Sequence, residues 1–175
     1  MLRFSSSFLD RLEEVGIVSQ DWAAAYGLVG PVARASGMTR DLRKVLPYCG
    51  YEKMEFTVPG EIEGDGYARL RVLFREAEES ANLIRQAVLS LPQGPVICPR
   101  FSVPAGAALG WAEAPRGAAF HWVRTEEDSR VARYRLITPS FTNWHGFHLA
   151  AEDFAFQDFP IIMATFGLSN AEGDR

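Results

Sequence analysis

Apolar positions along the chain follow a helical period in one long stretch, a two-fold period in another, and little pattern between them. Tyr67, Leu70, Phe74, Ala77, Ala81, Ile84, Val88 and Leu91 recur at steps of 3, 4, 3, 4, 3, 4 and 3. That is an unbroken a/d seam of the heptad type and predicts one helix over about 65–91. Asp65 is a natural N-cap, Pro92 and Gly94 supply the stop, and no proline or glycine interrupts Tyr67 through Ser90. A helix of this length gains little from propensity alone, so its seam must lie on another long helix. The upstream helical stretches are too short to cover it. Part of the seam is therefore expected to stand exposed, to be covered by self-association with a second copy, or to be crossed by the chain's own Phe8–Val15 segment.

Shorter elements flank it. Phe8–Val15 reads as an amphipathic helix stopped by Gly16, and Gln20–Tyr26 as a second one capped by Ser19 and ended by Gly27. Gly30–Gly37 (GPVARASG) reads as a loop with a solvated Arg34 at its centre, and Phe56–Val58 as a brief strand. Residues 94–110 read as a Pro/Gly-rich linker. Beyond it, Phe120 and Trp122 alternate with His121 and Val123, and Ala132, Tyr134 and Leu136 with Arg133 and Arg135. Glu126–Ser129 is a polar turn, which predicts a hairpin of about 119–124 with 131–138 ended by Pro139. A helix over Asn143–Phe154 and an apolar run over Phe159–Phe166 follow. The fold class is α+β: a helical part over 1–93 with one long helix, the linker, and a part over 111–175 with a small antiparallel hairpin or sheet, a C-terminal helix and a tail.

Composition narrows the function. The 175 residues fit one domain or two small ones, and with 47% hydrophobic and 23% charged residues the chain can bury a core. The balance of 18 basic against 22 acidic residues, with no block of like charge, argues against nucleic acid as a partner. Cys49 and Cys98 form no C-x-x-C metal-binding or redox motif; one disulfide between them is the alternative to the reading as two reduced, buried thiols in a cytoplasmic protein. The first residues carry Asp10, Arg11, Glu13 and Glu14 and form no signal peptide. The longest charge-free run, Leu136–Ala151, falls short of the ~20 apolar residues of a spanning helix. Membrane association is expected only through partners.

Candidate chemistry is sparse. His145 and His148 are spaced to share a helical face but lack a third ligand nearby, and zinc wants three or four. No phosphate loop, dinucleotide fingerprint or nucleophile elbow is present, and His121 has no evident nucleophile beside it. The segment Ala112–Trp122 (AEAPRGAAFHW) places Glu113, Arg116 and His121 around a Pro115-Arg116-Gly117 turn in apolar surroundings. An arginine on such a turn presents a fixed guanidinium fork. The alternative is that Arg116 merely pairs with Glu113.

Several segments together resemble one family, the large subunit of nickel–iron hydrogenases and its relative in respiratory complex I, the D-type subunit of NADH–quinone oxidoreductase. They are GLVGPVARASG (27–37), DLRKVLPY (41–48), GDGYARLRVLFREAEESANLI (64–84), GWAEAPRGAAFHWV (110–123), YRLITPSFTNW (134–144) and DFPIIMATFGL (158–168). GPVARASG and RYRLITPSFTNW look closest to energy-converting membrane-bound hydrogenases and related complexes. The resemblance covers nearly all of this chain but only the C-terminal part of the family's large subunit. It implies a hydrogenase large-subunit-like fold.

The ending departs from the hydrogenase pattern. Aligned on the terminal Asp174-Arg175, the hydrogenase D-P-C-x-x-C segment falls with Gly167 at the aspartate, Ser169 at the first cysteine and Glu172 at the second. Thiolates hold such soft metal centres, and serine and glutamate do not replace them. The resemblance thus implies no metal and no other cofactor in this chain, as in the complex I relative, with iron–sulfur clusters in partner subunits. Pro115 and Arg116 match the family's Pro-Arg turn, whose arginine hangs over the open metal position in hydrogenases. Together with His121, Asp174 and Arg175 they are the candidates for a cavity that meets a quinone. Asp41, Leu42 and Arg43 match a family motif and are assigned a structural role. The implied protein is the C-terminal segment of an oxidoreductase large subunit in a membrane-bound electron-transfer complex. It would be cytoplasmic and peripheral to the inner membrane, beside an iron–sulfur small subunit and membrane subunits, and inactive as an isolated chain. The rival is a non-catalytic assembly or scaffold module that kept the fold.

Overall fold

A computed structural model describes residues 6–97, 101–153 and 155–173. The long helix forms as Gly66–Leu89 (α5), with the Asp65 side chain accepting from the Ala68 amide at 2.7 Å as its N-cap. Before it come α1 (Ser6–Leu9), α2 (Gln20–Ala25), α3 (Gly30–Ala35) and α4 (Leu42–Val45). Ser19 caps α2 through the Trp22 amide, as its position before the apolar stretch predicts. The amphipathic segment at Phe8–Val15 is helical only through Leu9. It then breaks into turns, and Glu14 and Gly16 take positive φ to reach α5.

A three-stranded antiparallel sheet follows in the order β1-β2-β3: β1 (Gly106–Ala114), β2 (Gly117–Thr125) and β3 (Val131–Ile137). The β2–β3 pair places Phe120 opposite Ile137 and Val123 opposite Tyr134, with an irregularity at Arg124 and Thr125. β1 is a correction. Its first residues fall in the stretch read as linker, because an Ala/Gly-rich strand shows neither β-branched residues nor a two-fold pattern. Phe56–Val58 is the opposite correction: it forms no strand, and the Thr57 hydroxyl reaches Glu79 of α5 at 3.5 Å.

The chain then forms α6 (Pro139–Ala150), α7 (Phe159–Phe166) and α8 (Asn170–Gly173). α6 starts four residues before the helix expected at Asn143. Thr138 caps it through the Phe141 amide, and Pro139 fits the first turn, where its missing N–H costs nothing. One core gathers Leu12, Val18, Leu28, Val32, Phe147, Ile162 and Phe166, with Tyr67 and Leu70 of α5 packed against it beside Phe8 and Val15. The proximal end of the seam is thus covered by the chain's own first segment and core. The distal end is not: Ile84 is 66% exposed and Val88 62%. At that end α5 meets its own domain through the opposite side, where Leu83 is buried and Gln86 exchanges hydrogen bonds with the Glu55 backbone. No described helix is long and apolar enough to cross a membrane.

Arg69 of α5 is the deepest tie in the fold. Fully buried, it donates to the carbonyls of Gly16 and Gly64 at 2.8 Å each and to the Thr165 hydroxyl at 2.9 Å, and it lies 4.4 Å over the Phe166 ring. It thereby fastens the first loop, the entry to α5 and α7 to one point. Burial pushes its guanidinium down to about 9, against the opposing charge of Asp65.

Candidate functional site

GPVARASG is not a loop. Gly30–Ala35 is helix α3, every residue of it buried, and Arg34 is 1% exposed. A short helix buried all round has no polar face, so periodicity does not reveal it, and flanking Gly and Pro suggest a turn instead. Pro31 sits in its first turn, and Gly30 takes φ +67°. That glycine is required twice over. A Cβ there would lie 2.1 Å from the Arg116 carbonyl, so the Pro115-Arg116 turn between β1 and β2 presses directly on the start of α3.

Arg34 is not solvated; it centres a buried charge cluster. Its Nε donates to Glu76 Oε1 at 2.6 Å, and its Nη1 donates to Glu113 Oε1 and the Arg40 carbonyl, both at 2.9 Å. Asp41 lies 3.8 Å away and is itself held by Arg43 through two side-chain hydrogen bonds. Asp41 also caps α4 through the Arg43 amide, which gives the Asp-Leu-Arg motif its structural role. Glu113 Oε2 accepts from the Leu42 amide, and the Tyr48 hydroxyl accepts from the Glu113 amide.

The cluster sets three carboxylates, Asp41, Glu76 and Glu113, against two guanidiniums. Burial alone would raise Asp41, but hydrogen bonds and charge from Arg43, with Arg34 behind, hold it below the usual carboxylate range. Glu76 shares its arginine with Glu113, so burial prevails over the pull of Arg34 and its carboxyl is raised. Arg34, facing several carboxylates, is raised despite its burial.

Arg116 does not pair with Glu113. The two side chains turn apart: Glu113 toward Arg34, and Arg116 across Gly167 toward α8. Arg116 Nη1 donates to Glu172 Oε1 at 2.7 Å. Glu172 Oε2 accepts from the Ser140 hydroxyl at 2.5 Å, and that hydroxyl accepts from the Ser169 amide at 3.1 Å. The Thr138 hydroxyl donates to the Glu172 carbonyl at 2.8 Å. Ser140 is 1% exposed, whereas the Arg116 and Glu172 side chains keep 45% and 29% of their surface. The result is a half-open ion pair on a buried hydroxyl floor. α6 is docked by Asn143, whose amide both accepts from the Val29 N–H and donates to the Val29 carbonyl, one residue before Gly30.

The structure therefore brings Arg116, Ser169 and Glu172 together. Their oxygen donors do not fit a nickel–iron centre: there is no thiolate among them, and Glu172 has both carboxylate oxygens engaged. Pro115 faces the other way, lining a cavity of about 340 Å³ with Arg34, Arg43 and Glu76. His121 is not part of the group. Five residues up β2 from Arg116, on the order of 16 Å at strand rise, its Nδ1 meets the Tyr134 hydroxyl at 2.5 Å. Asp174 and Arg175 lie outside the described residues, as does Cys98; Cys49 is exposed rather than buried. His145 and His148 meet edge-on in α6 with ring centroids 6.4 Å apart, and no cluster of metal-ligating side chains occurs among the described residues. Sequence reasoning missed Ser140, Thr138 and Asn143, and also the depth of Arg34 and Glu76. Only Thr138 carried a local signal, as an N-cap residue before a proline.

Comparisons with known proteins agree with this architecture. The family described as "Respiratory-chain NADH dehydrogenase, 49 Kd subunit" matches residues 1–102 and 97–175. A carbon monoxide-induced hydrogenase of Rhodospirillum rubrum is 35% identical over 158 residues, 90% of this chain and 44% of its own length. A D-type subunit of the NADH-quinone oxidoreductase of Solibacter usitatus is 34% identical over 171 residues, 96% of this chain and 46% of its own. The corresponding D-type subunit of Herpetosiphon aurantiacus is 31% identical over 182 residues, 100% of this chain and 49% of its own. The chain spans about half the length of these curated relatives. With matches along its whole length, the chain belongs to the family of the respiratory-chain NADH dehydrogenase 49 Kd subunit.

Proposed function

We propose that this chain works as the C-terminal portion of an oxidoreductase large subunit, of the kind found in NADH–quinone oxidoreductases and hydrogenases, in a membrane-bound electron-transfer complex. The reading rests on family membership and on one observation: Arg116 and Glu172 form a half-open ion pair over Ser140 and Ser169, at the positions where the resemblance to hydrogenases puts metal and thiolates. The site holds no nickel or iron in this reading. Arg116 presents a fixed positive charge to an acceptor of the quinone class, whose oxygen gains negative charge as electrons arrive. The electrons come from iron–sulfur clusters in a partner subunit. Attachment to the membrane is peripheral, through membrane subunits. The names of the relatives describe a hydrogenase and NADH-quinone oxidoreductase subunits, which favours this reading over a scaffold module.

Affinity isolation of the tagged chain from membranes of its source cells tests the proposal. The expected result is a stable complex containing an iron–sulfur protein and integral membrane subunits. Recovery of the chain alone from the soluble fraction would overturn it.

A further inference from the structure

We infer that Ser140 of α6 is a positioning residue for Arg116: acting through Glu172, its buried hydroxyl aims the guanidinium at the electron acceptor. The inference rests on the acceptor reading given above and deepens it. Arg116 has a long, flexible stem and keeps 45% of its side-chain surface, and Glu172 is the polar partner that directs its fork. Glu172 is itself a flexible side chain on the four-residue helix α8, so the direction of the pair must be set elsewhere.

Ser140 sets it. A serine hydroxyl carries a single proton. At Ser140 the oxygen accepts the Ser169 N–H at 3.1 Å, and the proton goes to Glu172 Oε2 at 2.5 Å. Ser140 is 1% exposed, so bulk water does not compete for that hydrogen bond. With Oε2 pinned, Oε1 of the same carboxylate faces Arg116 Nη1 at 2.7 Å. The Thr138 hydroxyl donates to the Glu172 carbonyl at 2.8 Å and holds the main chain of the same residue. The start of α6 thus grips Glu172 at backbone and tip and leaves Oε1 as a fixed rest for the arginine.

The same helix fixes the other end of Arg116. Asn143, three residues beyond Ser140 and on the same face of α6, accepts the Val29 N–H at 2.9 Å and donates to the Val29 carbonyl at 3.0 Å. The next residue is Gly30, where a Cβ would come within 2.1 Å of the Arg116 carbonyl. Asn143 is also 1% exposed. The buried face of a helix is ordinarily apolar, and a satisfied buried hydrogen bond stabilises little more than apolar groups of the same shape. The hydroxyl of Ser140 is therefore accounted for by the direction it imposes. Direction matters because an acceptor oxygen gains negative charge only as electrons arrive, and a donor already aimed at it needs no reorganisation at that moment.

A double-mutant cycle in the membrane-bound complex proposed above, with a water-soluble short-chain quinone as acceptor, tests the inference. Ser140→Ala should lower kcat by roughly tenfold and leave KM unchanged, because an aimed charge acts on the acceptor as it is reduced more than on the acceptor as it binds. In the Arg116→Met background the same substitution should cause no further loss, since Ser140 acts only through Arg116. In the isolated chain, nitrogen NMR should show restricted rotation of the Arg116 guanidinium, and Ser140→Ala should free it. An unchanged kcat in Ser140→Ala, losses that simply add in the double variant, or a guanidinium equally restricted without the hydroxyl would overturn the inference. If Arg116→Met turns over like the wild type, the acceptor reading itself falls, and the NMR comparison still decides whether Ser140 orders the arginine.

Discussion

Arg116 and Glu172, 56 positions apart, meet at 2.7 Å, and the contact is made by two opposed constraints on one hairpin turn. On one side Gly30 and Gly117 let the turn press on α3, backbone against backbone. On the other, Gly167 takes φ +64° at the end of α7 and turns the chain beside the arginine stem. The pair is too open to matter much for folding: exposed pairs are worth ~0–1 kcal/mol. Arg116→Met should therefore change the urea midpoint of the isolated chain by an amount corresponding to under ~1 kcal/mol. In the membrane-bound complex proposed above, the same substitution should depress reduction of a quinone-class acceptor by at least about tenfold, the loss of one electrostatic stabiliser. Unaltered turnover with an altered midpoint would assign Arg116 a purely structural role.

Arg34 presents the reverse case. It is buried and joins α3, α5 and β1, so its removal leaves Glu76 and Glu113 without their shared cation. Arg34→Met should cost ~3–5 kcal/mol in chemical denaturation, a large fraction of the ~5–15 kcal/mol of an ordinary domain. A loss below about 1 kcal/mol, the range of an exposed pair, would mean that the cluster is hydrated and open.

Two carboxyls of that cluster titrate with opposite consequences. Asp41 is held below its ordinary value of 3.8, so the stability it contributes is present above that pH and is lost as pH falls through the folded value. Glu76 is raised above 4.5, so its contribution is full below 4.5 and is lost as pH rises through the folded value. Each group changes the unfolding free energy by at most ~1.4 kcal/mol per pH unit. Glu76→Gln keeps an acceptor for Arg34 and should flatten the stability profile above pH 4.5; Asp41→Asn should flatten it below pH 3.8. Denaturation curves across this range, compared with wild type, read both signs directly.

Gly30→Ala adds one methyl group at a position with none to spare. The new Cβ would lie 2.1 Å from the Arg116 carbonyl on a backbone with φ +67°. Strain and overpacking together should cost about 3 kcal/mol or more. Gly27→Ala is the control: it has a similar φ of +63° but open space around it, and should cost only the ~1–2 kcal/mol of the backbone conformation. Equal losses in the two variants would show that the turn and α3 do not touch.

What the sequence made legible was local. Asp65 and Ser19 announce their helices because a cap bonds within its own turn, and the seam of α5 repeats often enough to be unmistakable. The β2–β3 hairpin shows its two-fold alternation on both strands. What stayed hidden was set by distance. Glu113 lies three residues from Arg116 yet pairs with Arg34, 79 positions away, because the two side chains leave the hairpin in different directions. α3 is invisible to periodicity because all of its faces are buried, and β1 because alanine and glycine carry no strand signature. At the site itself, family resemblance located Arg116, Ser169 and Glu172, but nothing local pointed to Ser140, whose hydroxyl ties Glu172 to Ser169.

The central claim is that an arginine–glutamate pair stands where a hydrogenase keeps nickel and iron. Elemental analysis by mass spectrometry tests it most directly, on the tagged chain isolated with its partners, without chelators, from cells grown with added nickel. The account predicts nickel far below one atom per chain, with iron and sulfide in the proportions of iron–sulfur clusters alone. Nickel near one atom per chain would contradict it.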